Sequence, residues 1–245
     1  MSSAVIVGAT SGVGRALAED FAKAGFHLLL VARDREDLEA TACNIRLRFG
    51  TRCHVLAQDI GDPSWDVAAF ARDCSEKLDG VDCLLVPAGG VTSADVGATE
   101  EVLSQLTAVN YLGPARLAAA FGTLMSQLGR GSVVLFSSIA AAAPRTRNAA
   151  YSAAKAALET YARALRHALE PKGVRISWIR LGYVDTPQSF GMKLALPVAR
   201  PEDVARFVRA RIRAGSGPYH YPFFWRAVTL VLRVLPWALY RRLSF

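Results

Sequence analysis

The chain alternates short apolar runs with longer amphipathic segments. Runs rich in leucine or β-branched residues predict strands at 4–8, 27–32, 53–58, 81–86, 131–138 and 174–181. Segments whose apolar residues recur every three or four positions predict helices near 13–24, 35–49, 64–78, 99–128 and 149–170. This order is typical of right-handed βαβ units, and strands that are apolar throughout suit a sheet covered on both faces. We therefore expect an α/β fold, a single-domain Rossmann-type doubly wound parallel sheet with helices on both faces.

A glycine-rich segment follows the first predicted strand directly. In "GATSGVG", Gly8, Gly12 and Gly14 lead into the first helix. Glycines let the backbone approach a pyrophosphate closely, and the free N–H groups at a helix start attract its negative charge. The placement between a strand and a helix favours a dinucleotide site over a simple turn.

A tyrosine and a lysine lie four residues apart at the start of the predicted helix 149–170. Positions four apart share a helix face, so Tyr151 and Lys155 can converge on one point. A nearby positive charge lowers the pKa of a phenol, which would make Tyr151 an acid and base. Ser138 ends the preceding strand, where its hydroxyl can donate to a carbonyl oxygen. Taken alone, these residues also fit a packed tyrosine, a solvated lysine and a polar strand end.

The ends of the second and third strands bear on the choice of cofactor. An acidic residue at the place of Ala32 would bind a ribose 2′-hydroxyl, whereas Arg33 beside it suits a 2′-phosphate. The sequence thus favours NADP over NAD, the alternative being a solvated loop arginine. Asp59 ends the third strand. Its carboxylate can accept a hydrogen bond from an adenine amine, or it can cap a helix or stabilise a turn.

Together these residues, with Ala88-Gly89 and with Asn110 in "VNYLGP", resemble the compact NAD(P)-dependent short-chain dehydrogenases/reductases over roughly residues 3–215. The resemblance implies that Tyr151 is the general acid/base and that Ser138 orients and polarises the carbonyl. It implies that Lys155 binds the nicotinamide ribose and lowers the pKa of the tyrosine. Asn110 would hold a water in a proton relay to Lys155.

The resemblance also implies which residues hold the dinucleotide. The predicted cofactor-binding residues are Gly8, Thr10, Ser11, Gly12, Val13, Gly14, Arg33, Asp59, Ile60, Ala88, Gly89, Tyr151, Lys155, Gly182, Val184 and Thr186. With the catalytic residues Asn110, Ser138, Tyr151 and Lys155, they predict an NADP(H)-dependent oxidoreductase that interconverts a carbonyl and an alcohol by hydride transfer. No metal is predicted, and the family implies a homodimer or homotetramer.

Two departures from the family pattern leave an alternative function open. Val86-Pro87 stands where the family usually has two asparagines, and Leu181 stands where it usually has proline. A proline removes an N–H donor, and a missing asparagine removes a side-chain bridge. A weakly active or inactive NADP-binding scaffold or redox sensor of the same fold is therefore the alternative.

The net charge of +8 is concentrated near the end of the chain. From Arg200 onward there are nine arginines and only two acidic residues. The segment "YPFFWRAVTLVLRVLPWALYRRLSF" is too short and interrupted to span a bilayer, and it predicts two short helices split at Pro236. Its tryptophans and arginines suit peripheral membrane contact through 223–245, but docking on the core or on a second subunit suits them equally. Arginines interleaved with leucines and valines argue against nucleic-acid binding.

These features predict the organisation and location of the chain. We expect a cofactor-binding and catalytic domain over 1–217, with a substrate lid near 187–200, and an apolar basic tail over 218–245. The lid residues Phe190, Met192, Leu194 and Leu196 would either line a site for a small hydrophobic carbonyl or alcohol substrate or pack on the body. Scattered cysteines without C-x-x-C spacing predict free thiols, and the short first apolar run argues against a signal peptide. We therefore expect a cytoplasmic protein, with the tail at the inner face of a membrane.

Overall fold

Seven parallel strands form one sheet in the computed structural model, which describes residues 2–91, 97–144, 148–186 and 197–242. The strands are β1 (Ser3–Val7), β2 (His27–Ala32), β3 (Cys53–Ala57), β4 (Cys83–Val86), β5 (Gly131–Ser138), β6 (Val174–Leu181) and β7 (Gly217–Tyr221). Their order across the sheet is β3-β2-β1-β4-β5-β6-β7. The direction of winding reverses between β1 and β4, and ligands of such sheets bind beyond the carboxyl ends of the strands at this point.

Helices cover both faces of the sheet. They are α1 (Gly12–Lys23), α2 (Arg35–Phe49), α3 (Val67–Lys77), α4 (Glu100–Thr107), α5 (Gly113–Gln127), α6 (Ala149–Leu169), α7 (Pro201–Arg211), α8 (Trp225–Val234) and α9 (Trp237–Tyr240). Helices α1, α2 and α7 share one core with the sheet, and α3, α5 and α6 share the other. The predicted fold class, a doubly wound parallel sheet with helices on both faces, is confirmed.

The burial of apolar side chains explains why these segments fold as they do. Every residue of β1 is buried, because helices pack on both of its faces. Phe21 of α1 is fully buried in one core and Phe121 of α5 in the other. Burial of a side chain of this size contributes about 1.5–3 kcal/mol, so the two cores hold the helices against the sheet.

The predicted helix 99–128 is wrong in one respect, since it is interrupted by a π-helical turn at Ala108–Leu112. Pro114 has no N–H to donate to the carbonyl of Asn110, so a regular α-helical ladder cannot continue through this point. Asn110 is buried inside the turn and donates from Nδ2 to the Leu106 carbonyl at 3.0 Å. Turns of this kind are frequently found at functional sites.

The sheet has a strand that the sequence analysis did not predict. β7 pairs with β6 and extends the sheet through Tyr221, past residue 217 where the catalytic domain was predicted to end. The prediction of two short helices split at Pro236 is confirmed, because α8 ends at Val234 and α9 begins at Trp237. Within the described residues, no helix combines the length and apolar character that crossing a bilayer requires.

A buried ion pair joins α6 to β6, the strand next to the edge of the sheet. Arg180 of β6 donates from Nε to Glu159 Oε1 of α6 at 2.7 Å and from Nη2 to Oε2 at 2.5 Å. Ser137 Oγ donates to the same carboxylate at 2.7 Å. Arg180 Nη1 lies 3.3 Å from Nε2 of His220, and burial together with Arg180 lowers the pKa of His220 to about 4. The neutral imidazole can therefore accept a hydrogen bond from the guanidinium. Through these contacts the Glu159–Arg180 pair connects α6 to β5, β6 and β7.

Replacing Glu159 with alanine should destabilise the protein strongly. The side chains of Glu159 and Arg180 are 6% and 13% exposed, so the substitution leaves a buried guanidinium without its counter-charge. We expect Glu159→Ala to lower the free energy of unfolding in urea by about 3–5 kcal/mol. Glu170→Ala, which removes the exposed pair with Arg166 at the C-terminal end of α6, is the matched control and should have a much smaller effect. Equal losses in the two variants would contradict this assignment.

Candidate active site

The glycine loop between β1 and α1 forms a bare backbone cradle at the point where the winding reverses. Gly8 has a φ of +98°, and a Cβ there would lie 2.8 Å from Cα of Ala88, which follows β4. A Cβ on Gly14 would lie 1.9 Å from the Gly8 carbonyl oxygen. No side chain fits at either position, and the first N–H groups of α1 have no acceptor within the helix. This arrangement fits the pyrophosphate of a dinucleotide.

The other predicted residues of the loop have different surroundings. Thr10 accepts from Arg15 Nη2 through its carbonyl at 3.2 Å, and Ser11 is exposed with its hydroxyl 3.4 Å from the Gly8 carbonyl. Val13 is buried in the core beneath the loop. Its side chain therefore supports the loop from below, and only its backbone is available to a ligand.

The segment after β6 returns to the same cradle. A Cβ on Gly12 would lie 2.5 Å from Cγ2 of Thr186, so the two predicted cofactor residues are in contact. Val184 is held by a bridge to Ala199, and Asp185 N donates to the Ala199 carbonyl at 2.9 Å. The predicted lid residues Phe190, Met192, Leu194 and Leu196 lie outside the described residues.

Gly182 has a contact that the sequence did not predict. A Cβ there would lie 1.9 Å from Nε1 of Trp225, so the indole at the start of α8 packs directly on this glycine. Trp225 is buried and also contacts the Tyr183 ring, at 5.4 Å between centroids. The tail thus adjoins the segment predicted to hold the nicotinamide end of the cofactor. The contact joins segments that are distant in the sequence, and no local pattern indicates it.

Ser138, Tyr151 and Lys155 converge at the carboxyl end of β5. The Ser138 and Tyr151 hydroxyls are hydrogen-bonded to each other, and Ser138 Oγ accepts from Ala140 N at 3.2 Å. Lys155 is buried, donates from Nζ to the Phe136 carbonyl at 2.9 Å, and lies 5.8 Å from the centroid of the Tyr151 ring. The structure therefore brings together the three residues that the sequence predicted to act together.

Burial shifts the pKa values of both titratable side chains in this group. Burial raises the pKa of Tyr151, and the hydrogen bond from Ser138 opposes this only in part. Burial lowers the pKa of Lys155 to about 8. Burial therefore favours the neutral form of both side chains. The lowering of the Tyr151 pKa by Lys155 stays a prediction.

Asn110 and Gly89 lie beside Lys155. Asn110 Oδ1 accepts from Gly90 N at 3.1 Å, and its Nδ2 donates to the Gly90 carbonyl at 2.8 Å. A Cβ on Gly89 would lie 2.8 Å from Asn110 Oδ1 and 3.1 Å from Lys155 Nζ. The amide group thus fixes the turn after β4, and the absence of a side chain at Gly89 leaves room for the lysine. Its role in a water relay stays a prediction.

The adenosine end of the predicted site is more open. Arg33 is exposed after β2, and the neighbouring Asp34 carboxylate accepts from Asp37 N at 3.0 Å as the cap of α2. Asp59 Oδ1 accepts from Gly61 N at 2.8 Å, so its turn role is present and an adenine contact stays a prediction. Ile60 is buried, and a Cβ on Gly113 would lie 2.3 Å from its carbonyl oxygen.

The two departures from the family pattern leave the backbone path intact. Ala88 N donates to the Val7 carbonyl at 3.0 Å directly after Pro87, so the chain still pairs with β1. Leu181 is the register partner of Ser138, and it also pairs with Tyr221 of β7. Leu181 thus continues β6 as far as the end of β5, where Ser138 lies.

Glu159 is a residue of this site that the sequence analysis missed. It follows Tyr151 and Lys155 at the same interval of four along α6, and it binds Ser137 next to Ser138. The spacing was a usable signal, because positions four apart share a helix face. Its partner Arg180 is distant in the sequence and was not identifiable from it.

Comparison with known proteins places the chain among oxidoreductases. The family model described as short chain dehydrogenase matches residues 2–193. An uncharacterised oxidoreductase of Mycobacterium tuberculosis is 30% identical over 241 residues, covering 98% of this chain and 96% of that protein. A fatty acyl-CoA reductase of Acinetobacter baylyi is 30% identical over 210 residues, covering 84% of this chain and 70% of that protein.

A solved structure has the same architecture over the whole chain. The short-chain dehydrogenase from Sphingobium yanoikuyae in complex with NADPH superposes with a TM-score of 0.83 at 26% identity, covering 100% of this chain and 97% of that one. The family match spans the glycine cradle, the π-helical turn and the Ser138–Tyr151–Lys155 group. The chain therefore belongs to the short-chain dehydrogenase family of oxidoreductases.

Proposed function

We propose that this protein is an NADP(H)-dependent reductase that converts the carbonyl group of a hydrophobic substrate to an alcohol. The observation that carries the proposal is the hydrogen-bonded pair of hydroxyls, Ser138 and Tyr151, with Lys155 on the same helix face. The group lies at the carboxyl end of β5, and the glycine cradle follows the carboxyl end of β1 in the same parallel sheet. A proton donor and a dinucleotide site thus share one crevice.

The residues of this group have distinct roles in the proposed reaction. When bound, the nicotinamide supplies the hydride that adds to the carbonyl carbon. Tyr151 donates its proton to the carbonyl oxygen, and burial of the phenol favours this donor form. Ser138 donates a hydrogen bond to the same oxygen as negative charge develops there. Lys155 binds the ribose from its fixed position under the Phe136 carbonyl.

The preference for NADP rests on the end of β2. Arg33 is exposed there, and Asp34 is engaged in capping α2, so the guanidinium is available to a 2′-phosphate. Ala32 offers no carboxylate to a ribose hydroxyl. The Sphingobium yanoikuyae relative was solved with NADPH, which supports the same choice.

The substrate and the assembly are proposed from the apolar surface of the chain. The relative from Acinetobacter baylyi is a fatty acyl-CoA reductase, and the tail beside Gly182 is apolar, which supports a lipid-like substrate and contact with a membrane. Leu103 of α4 and Leu112 of the π-helical turn are exposed. They support a homodimer or homotetramer formed through these helices.

Replacing Tyr151 with phenylalanine should abolish most turnover. The substitution removes the proton donor and keeps the ring, so we expect kcat for reduction of a long-chain ketone by NADPH to fall by about 100- to 10,000-fold. Tyr161→Phe, which removes a phenol farther along α6, is the control and should retain activity. Full activity in Tyr151→Phe would exclude the mechanism, and the absence of turnover in the unaltered protein would favour a cofactor-binding scaffold.

Replacing Arg33 with alanine should weaken the preference for NADPH. Loss of a charge-assisted hydrogen bond to the 2′-phosphate should raise the Kd for NADPH by about 10- to 100-fold and leave the Kd for NADH unchanged. Both constants are measurable by titration of cofactor fluorescence. Arg52→Ala, at the opposite end of the strands, should change neither constant. An equal effect on both cofactors would contradict a 2′-phosphate contact.

The burial of Lys155 should make the stability of the cofactor-free protein depend on pH. The folded pKa is about 8 against an ordinary 10.5, so the unfolded chain binds more protons between these values and stability rises with pH. Between about pH 8 and pH 10 the unaltered protein should gain about 2 kcal/mol relative to Lys155→Met. Urea titrations at both pH values measure this difference. A constant difference would show that the lysine is not desolvated.

A further inference from the structure

The last two helices leave an apolar surface uncovered. Trp225 and Thr229 on one side of α8 are buried against the body of the protein. Ala227, Leu230, Val231 and Val234 are exposed on the opposite side. At 3.6 residues per turn these four positions fall within an arc of about 100°, so they form one stripe.

Exposed apolar side chains also lie before and after α8 in the sequence. Phe223 precedes the helix, and Trp237 and Leu239 follow it in α9. The tail surface, as we name it, consists of Phe223, Leu230, Val231, Val234, Trp237 and Leu239, whose side chains are between 50% and 84% exposed. Half of the exposed large apolar side chains in the described part of the chain belong to it. An apolar patch so concentrated indicates a binding surface.

Positive charge borders the tail surface. Arg226 and Arg233 lie together along one edge of the α8 stripe, and Arg241 and Arg242 follow α9, all four exposed. The sequence has no acidic residue after Asp203. Apolar side chains that enter the acyl region, with arginines reaching anionic headgroups and a tryptophan at the boundary, are the features of an interfacial helix.

The charge pattern favours a lipid surface over a second copy of the chain. A symmetric contact between two copies would bring the same arginines of both copies to one interface. With no acidic partner on this surface, the arginines would repel each other there. An anionic bilayer instead complements them.

The tail surface lies next to the candidate active site. Tyr240 Oη of α9 donates to the Pro144 carbonyl at 2.5 Å, in the loop that follows Ser138. Trp225 of α8 packs on Gly182, which follows β6. The start of α8 and the end of α9 thus contact segments that border the crevice, so a membrane bound through these helices would lie beside it.

We propose that the tail surface docks peripherally on an anionic bilayer, which supplies the carbonyl substrate from the lipid phase. The evidence for docking comes from the tail surface alone, whereas the delivery of substrate rests on the proposed reductase function. No segment crosses the bilayer in this arrangement. The apolar stripe enters the acyl region, and the arginines contact the headgroups.

Removal of apolar groups from the tail surface should abolish docking. Co-sedimentation with vesicles of phosphatidylcholine and phosphatidylglycerol in equal parts measures binding. We expect Leu230→Ser/Val234→Ser to bind more than about 100-fold more weakly than the unaltered protein. Leu47→Ser/Leu128→Ser, which changes two exposed leucines elsewhere, is the matched control and should bind normally.

Removal of positive charge from the tail should weaken docking on anionic vesicles. Arg226→Gln/Arg233→Gln should reduce partitioning by roughly 25-fold, from the attraction of two arginines to an anionic surface. Arg72→Gln/Lys77→Gln makes the same charge change on α3 and should have no effect. Vesicles of phosphatidylcholine alone should bind the unaltered protein more weakly than the anionic vesicles.

Two outcomes would overturn the proposal. One is equal vesicle binding by the leucine variant of the tail and its control. The other is weak binding by the unaltered protein, together with a change from dimer to monomer in the tail variants by analytical ultracentrifugation. Activity on a short water-soluble ketone tests the reductase function separately from docking. The tail variants should keep this activity and lose only the activity on a ketone embedded in vesicles. Vesicle binding without any turnover would contradict the reductase function and leave docking supported.

Discussion

The close approach of two backbone turns determines the geometry of the site. Gly8 after β1 lies against Ala88 after β4, with no space for a side chain between them. This contact fixes the relative position of the glycine cradle and the turn at Gly89 and Gly90. Asn110 binds that turn, and Lys155 lies beside it. This turn thus connects the cradle to the helix face that carries Tyr151 and Lys155.

Burial has opposite effects on the two titratable side chains of α6. It favours the neutral phenol of Tyr151, the form that the proposed reductase function requires of a proton donor. It disfavours the charged form of Lys155, whose Nζ donates to the Phe136 carbonyl. Under the proposed function, the negative charge of a dinucleotide in the neighbouring cradle would favour the ammonium again, which connects occupancy of the cradle to the protonation of the lysine.

The strands and the helices on both faces were predictable because apolar periodicity is a local signal. The joint role of Ser138, Tyr151 and Lys155 came from the family resemblance, since their spacing alone also fits a packed tyrosine, a solvated lysine and a polar strand end. The sequence analysis did not predict the π-helical turn, where Pro114 cannot donate to the Asn110 carbonyl and Asn110 binds a distant turn. β7 was missed because its segment begins with glycine and proline and contains no aliphatic run. The pKa of Tyr151 depends on burial by the whole fold, and no spacing of residues encodes that. For the same reason the contact of Gly182 with Trp225 was not foreseeable.

Glu159 connects the end of β5 to the last two strands of the sheet. Its carboxylate accepts from Ser137, next to the reactive serine, and from Arg180, which also contacts His220 in the last strand. Trimming the chain before β7 would open one side of Arg180 to water and loosen its hold on the carboxylate. We therefore expect exchange of the C-terminal region between relatives to alter the framework beneath the Ser138 and Tyr151 hydroxyls.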